Sequence, residues 1–314
     1  VCWGVRGSAG IGGGVSSRGL NIGDLTVLSM NDPCIGLNSQ FYMFKYDSTY
    51  GKFHSIVMAE NRKHHQNKYP ANVKWGDAGA KYAVESTDVF ISMEKEGASF
   101  KVGLKNVTIS VLSPDDAMFV FVVNKKYNNS HKTVSNACCT NSCLAPPAKV
   151  IHDNFGIVEE VMTTVHAIPA TQKNVDGSSG KIWHDDHGAA QNVILASTGA
   201  AKAVGKVIPE LNEKLIDMSF PVSFVDWTCH LKKAAKFNDT KKAVNKASKG
   251  TLKGILGYIE DWFVFCHFHN ETHSSSFGAG TDIAFNDNFV RLISLYDNEY
   301  GYSNRVADIM AHMT

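Results

Sequence analysis

The chain has no apolar run long enough to span a bilayer, no internal repeat and no low-complexity tract. Its opening stretch, Val1 to Gly14, is glycine-rich and lacks the apolar core of a secretion signal. Cysteine is sparse. Seven are present, an odd number without framework spacing, which argues against a disulfide scaffold and predicts reduced thiols. These absences predict a cytoplasmic protein with no membrane partner. Net charge is nearly absent as well, at +1, so no broad field draws the chain to nucleic acid beyond weak binding. What remains is ordinary globular composition, 44% hydrophobic and 19% charged, over 314 residues, enough for two domains with a core each.

The first half follows the order strand, glycine turn, helix, strand, acidic residue. Val1 to Val5 is a short apolar run that suits a buried strand. The turn Gly7-Ser8-Ala9-Gly10-Ile11-Gly12 follows, and a second apolar run, Leu25 to Met30, ends at Asn31-Asp32. The distance from Gly12 to Asp32 is that at which a carboxylate meets the ribose hydroxyls of a dinucleotide. A glycine turn lets backbone N–H groups approach a pyrophosphate, and a helix N-terminus stabilises its charge. Alone, such a turn is weak evidence, and Ala9 adds a methyl where the fingerprint expects glycine. Further strand-like runs occur at Tyr82 to Val84, Val107 to Leu112 and Phe119 to Val123. Together they predict an α/β sheet that binds ligands at the strand carboxyl ends. Ser86, Thr87 and Ser110 fall at such ends, where turn-forming hydroxyls are also common.

Residues 135–143 read Ser-Asn-Ala-Cys-Cys-Thr-Asn-Ser-Cys, followed by a helical stretch through Ile151. Thr140, Asn141 and Ser142 are natural helix-start residues. A cysteine there has its thiolate stabilised by exposed N–H groups, which makes it a candidate nucleophile. A buried small hydrophobe is the alternative. At most one of Cys138 and Cys139 is the nucleophile. The strand-like run Ile157 to Val165 ends at His166, a candidate base. Thr198 and Gly199 precede a helical run to Leu215 and form either a phosphate seat or an ordinary cap. His184-Asp185-Asp186-His187 and the group Cys266, His267, His269, His273 lack a closed ligand set, so no metal is expected.

Taken together, these segments resemble phosphorylating glyceraldehyde-3-phosphate dehydrogenase from Val1 to Met313. The likeness is carried by Tyr46-Asp47-Ser48-Thr49, Lys74 to Gly79, Thr163 to Ile168, Ala196 to Leu211, Tyr296 to Glu299 and Tyr302 to Arg305. The resemblance implies a Rossmann-type NAD-binding domain over residues 1–137 and an α+β catalytic domain over 138–300. A C-terminal helix over 301–314, starting near Ser303, would return to the first domain. It implies NAD as cofactor, glyceraldehyde 3-phosphate and inorganic phosphate as reactants, and a homotetramer. It also implies Cys139 as nucleophile and His166 as base. Gly7, Gly10, Ile11, Gly12, Asp32, Thr87, Ser110 and Asn298 would hold the cofactor, and Cys138, Thr140, Thr198 and Gly199 the phosphates.

The chain departs from the family pattern at several of these places. Arg6-Gly7-Ser8-Ala9-Gly10-Ile11-Gly12 stands where the family has Asn-Gly-Phe-Gly-Arg-Ile-Gly. Asp88 replaces a glycine, Asn141 a threonine and Pro169 a threonine, and Pro147 is added beside Pro146. Phe220 runs directly to Pro221, without the arginine that grips substrate phosphate in the family. These departures motivate a second reading, an impaired relative that retains at most nucleotide binding or association with family tetramers.

Overall fold

A computed structural model describes residues 2–7, 26–47, 51–53, 64–87, 89–90, 97, 99–113, 117–124, 131–165, 199–212, 214–220, 224–261, 268, 270–280 and 283–313. The chain divides into two compact units. One comprises 1–142, 269–272 and 299–314, and the other 143–268 and 273–298.

The first unit is built on a parallel sheet. Its strands are β1 (Cys2–Arg6), β2 (Thr26–Asn31), β5 (His64–His65), β6 (Tyr82–Glu85), β7 (Asn106–Ile109), β8 (Ala117–Met118) and β9 (Thr133–Ser135). They lie in the order β5-β2-β1-β6-β7-β9-β8, every pairing parallel. Helix α1 (Leu37–Lys45) leads into a small hairpin of β3 (Tyr46–Asp47) and β4 (Gly51–Lys52). Parallel strands must be covered on both faces, and this sequence supplies both covers. Val73, Trp75, Ala80, Ala83, Leu104 and Val107 form one cluster. Trp3, Val84 and Val134 form the other, against Tyr302, Val306, Ile309 and Met310 of the last helix, α5 (Tyr300–His312). Gly4 is needed in β1 because a Cβ there would lie 2.3 Å from the Trp75 ring.

The second unit opens within helix α2 (Cys139–Phe155). Its sheet contains β10 (Ile157–Val165), β11 (Leu215–Phe220), β12 (Phe224–Leu231), β13 (Leu256–Ile259), β14 (Ser275–Gly278), β15 (Ile283–Asn286) and β16 (Phe289–Leu295). The order is β11-β10-β12-β16-β14-β13, with β15 also on β16. Both parallel and antiparallel pairs occur. The unit also holds α3 (Ala200–Val207) and α4 (Phe237–Lys249). Along β12 the side chains alternate, with Val225, Trp227, Cys229 and Leu231 buried. The α/β class with a Rossmann-type first unit is therefore as expected.

Three local expectations change. The run Phe119 to Val123 is not a strand. The Asn124 amide folds back, accepting the Val120 N–H at 2.9 Å and donating to the Met118 carbonyl at 2.8 Å, and this closes a turn. The strand expected to reach Leu112 stops at Ile109, where the Ile109 carbonyl is taken by the Asn136 N–H at 2.9 Å. The helical run expected to reach Leu215 ends at Val207, since Pro209 cannot continue it. A 3₁₀ turn over Pro209–Leu211 follows, and Leu215 opens a strand. Pro146 and Pro147 both lie inside α2, which continues through them to Phe155.

Candidate active site

Where strand order reverses, β1 lies beside β6, and the crevice beyond the strand ends is the expected seat of a dinucleotide. Arg6 and Glu85 are the last residues of those two strands, and their side chains form a buried ion pair at 2.6 Å. The Arg6 guanidinium also stacks 4.7 Å above the Phe90 ring. Burial pushes the Glu85 carboxyl up, and the Arg6 charge opposes this. Glu85 accepts the Thr87 N–H at 2.8 Å and the Thr87 hydroxyl proton through the same oxygen. Thr87 therefore presents lone pairs to a ligand and suits a ribose hydroxyl better than a phosphate.

Gly7 follows with φ +90°, and an added Cβ would lie 3.1 Å from the Ser86 carbonyl oxygen. Its N–H is committed to the Asn31 carbonyl at 2.9 Å, so Gly7 shapes the turn and does not donate to a ligand. Asp32, buried directly after β2, accepts the Cys34 N–H at 2.8 Å, and a carboxylate can accept further hydroxyl bonds. The Ser86 and Ser110 hydroxyls, at the ends of β6 and β7, are buried without a hydrogen-bond partner. Such orphaned donors at strand ends, together with a crowded glycine and a terminal carboxylate, fit a dinucleotide. Gly10, Ile11 and Gly12 lie outside the described residues.

The cysteines stand at the start of α2. The helix begins at Cys139, one residue before the expected Thr140, and the Ser142 N–H bonds to the Cys138 carbonyl at 3.0 Å. The Cys138 thiol donates to Asn141 Oδ1 at 2.9 Å. Cys139 is only partly screened by its neighbours' surfaces, yet burial raises its thiol to about 12, and the adjacent Cys138 adds to this. The Thr140 N–H and hydroxyl act the other way. Burial thus opposes the helix N-terminus at this thiol.

Ala137, fully buried two residues before Cys139, has φ +54°, a conformation that costs an L-residue about 1–2 kcal/mol. It is held on both sides. Its N–H bonds to Ser135 Oγ at 3.1 Å, and Ser135 in turn donates to the Val111 carbonyl at 2.5 Å. Its carbonyl accepts the Tyr302 hydroxyl at 3.1 Å.

The structure thus brings Gly7, Asp32, Thr87, Ser110, Cys138, Cys139 and Thr140 into the first unit. Gly199 and Asn298 belong to the second. Gly199 caps α3 without a side-chain bond, and Asn298 is half-buried. His166 and Thr198 lie outside the described residues, as do His184 to His187 and Cys266, His267 and His269. Among the described residues, no group of three or more metal-ligating side chains occurs. Sequence reasoning missed Arg6, Glu85, Ser135 and Tyr302. For Arg6 a signal existed, an arginine where the family turn has asparagine. Glu85 and Tyr302 meet their partners across 79 and 165 residues, and Ser135 meets Ala137 two residues on, in a turn that no pattern marks.

Residues 3–93 match the family model described as glyceraldehyde 3-phosphate dehydrogenase, NAD binding domain. Residues 138–298 match that of its C-terminal domain. The chain is 60% identical over 361 aligned positions to muscle glyceraldehyde-3-phosphate dehydrogenase of Jaculus orientalis, covering 99% of this chain and 98% of the relative. It is 54% identical over 325 positions to glyceraldehyde-3-phosphate dehydrogenase of Danio rerio, covering 99% and 98%. Glyceraldehyde-3-phosphate dehydrogenase 2 of Caenorhabditis elegans is 49% identical over 331 positions, covering 99% and 97%.

Proposed function

Because this chain belongs to the glyceraldehyde 3-phosphate dehydrogenase family, we propose that it carries out the glycolytic, NAD-dependent oxidative phosphorylation of glyceraldehyde 3-phosphate to 1,3-bisphosphoglycerate through a thioester on Cys139. The observation that carries this reading is the placement of Cys139. It is the first residue of α2, behind a strained and clamped Ala137, in the same unit as a dinucleotide crevice.

The roles follow from chemistry. His166 takes the Cys139 proton, and the sulfur bonds to the aldehyde carbon to give a hemithioacetal. NAD, when bound, supplies the hydride acceptor. The hemithioacetal hydroxyl would give its proton to His166 as the carbon loses hydride, which leaves a thioester. A phosphate oxygen then attacks the thioester carbonyl, the carbon–sulfur bond breaks, and Cys139 is returned as thiolate. Asp32, Thr87 and Ser110 hold the dinucleotide beside the turn begun by Gly7 and continued by Gly10, Ile11 and Gly12, and Asn298 holds the nicotinamide amide. Cys138, Thr140, Thr198 and Gly199 contact the phosphates with hydroxyl, thiol and N–H groups. These bonds are weaker than the charge-assisted ones an arginine makes, so a raised KM for the phosphorylated substrate is expected.

Family membership supports a homotetramer in the cytoplasm. Among the described residues, no helix is long and apolar enough to cross a membrane. The test is phosphate-dependent NADH formation from glyceraldehyde 3-phosphate by wild type and Cys139→Ser. Formation that disappears in the variant is expected, and equal rates in the two would overturn the assignment.

A further inference from the structure

We infer that Tyr302 is a positioning residue for the Cys139 thiol, acting with Ser135 through the strained Ala137 peptide. The inference rests on the reading of Cys139 as the reactive thiol. Ala137 adopts φ +54° without being glycine, and it is completely buried, so solvent cannot satisfy its peptide groups. Protein groups satisfy them instead. Ser135 Oγ accepts the N–H at 3.1 Å, and the Tyr302 hydroxyl donates to the carbonyl at 3.1 Å. The preceding residue is fixed too, since the Asn136 N–H bonds to the Ile109 carbonyl at 2.9 Å.

The Ala137 carbonyl belongs to the peptide plane that enters Cys138. Rotating that plane would redirect Cys138 and the first turn of α2, on which Cys139 stands. The Tyr302 hydroxyl opposes that rotation. Packing does not require this hydroxyl. The Tyr302 ring already sits in a cluster with Trp3, Val84, Val134, Val306 and Met310, which anchors α5 to the sheet. A phenylalanine would keep that packing and lose the bond to Ala137. The arrangement therefore places a replaceable hydroxyl on a strained residue two positions before the thiol, with its steric and polar roles separable.

The separation gives a specific test. A glycine at position 137 adopts the left-handed conformation without strain and does not need the clamp. In the full chain, Tyr302→Phe is expected to lower the rate of Cys139 alkylation by iodoacetamide, and the rate of the first NADH burst, about tenfold, the value of one lost hydrogen bond. The denaturant midpoint should fall modestly, as expected for one buried carbonyl losing a donor, with unfolding still a single cooperative transition. Adding Ala137→Gly to Tyr302→Phe should restore both rates to within about twofold of wild type. Ser135→Ala should show the same loss and the same rescue, which keeps the test available if one variant folds poorly. Wild-type rates in Tyr302→Phe, or a loss that Ala137→Gly does not rescue, would overturn the proposal. The labelled position is read by peptide mass spectrometry. Label on another cysteine, with an unchanged rate in Cys139→Ser, would overturn the underlying reading of Cys139.

Discussion

Glu160 offers a stability measurement whose sign and size both follow from its surroundings. It lies on β10, opposite Cys229 of β12 and Leu215 of β11, and is buried. One carboxyl oxygen accepts the Cys229 thiol at 3.6 Å, and the other has no partner. Burial pushes the carboxyl from 4.5 up to about 7, slightly opposed by the Cys229 bond. Below the unfolded value both states hold the proton. Between about 4.5 and 7 the folded chain keeps it while the unfolded chain releases it, so stability falls as pH rises through this window. Above about 7 both states are ionised and the loss is complete. The shift corresponds to about 3–4 kcal/mol, at roughly 1.4 kcal/mol per unit. Glu160→Gln keeps the shape and removes the titration. Urea unfolding of both proteins at pH 4.5 and pH 8 would measure the difference, and groups common to both cancel. The variant should gain about 3–4 kcal/mol on wild type between the two pH values. A difference that does not change with pH would refute the reasoning, because it would mean that Glu160 titrates alike in the folded and unfolded chain.

His166→Asn should slow thioester formation by about 10²–10⁴-fold and lower iodoacetamide reactivity at pH 7. Single-turnover kinetics and alkylation rates would check both. Pro147→Ala should restore an N–H to the Cys143 carbonyl, worth about 3 kcal/mol, and lose two buried methylenes at about 0.8 kcal/mol each. A net gain of about 1 kcal/mol is expected, readable as a higher Tm. Gly4→Ala should cost about 3 kcal/mol, because the new Cβ would meet the Trp75 ring at 2.3 Å, and urea unfolding would measure it.

The strands that carry the crevice were legible because their patterns are local. β10 runs from Ile157 to Val165 in the structure as its apolar run suggests, and Asp32 follows β2 as the spacing requires. The failures are also physical. Phe119 to Val123 is as apolar as any strand here, but Asn124 offers the backbone a closer partner than a neighbouring strand does. The end of α3 depends on Pro209, a single residue that outweighs an amphipathic pattern. The Arg6–Glu85 pair joins residues 79 apart, and Tyr302 meets Ala137 across 165. No periodicity encodes such distances, because both exist only once the sheet is closed and the last helix packs on it.

The thiol shows how two correct local rules are settled by magnitude. A helix N-terminus lowers a thiol pKa, and Cys139 occupies that place. Burial raises it, and Cys138 beside it raises it further, to about 12. The helix N-terminus and burial therefore act against each other at this sulfur. The proton has to leave in the step that uses the sulfur, toward a base held in position, and the carbonyl has to meet a thiol whose direction is already set. Desolvation favours a base close to the sulfur, and the clamp on Ala137 sets the direction. The residues that make Cys139 work thus extend well beyond the short motif that contains it.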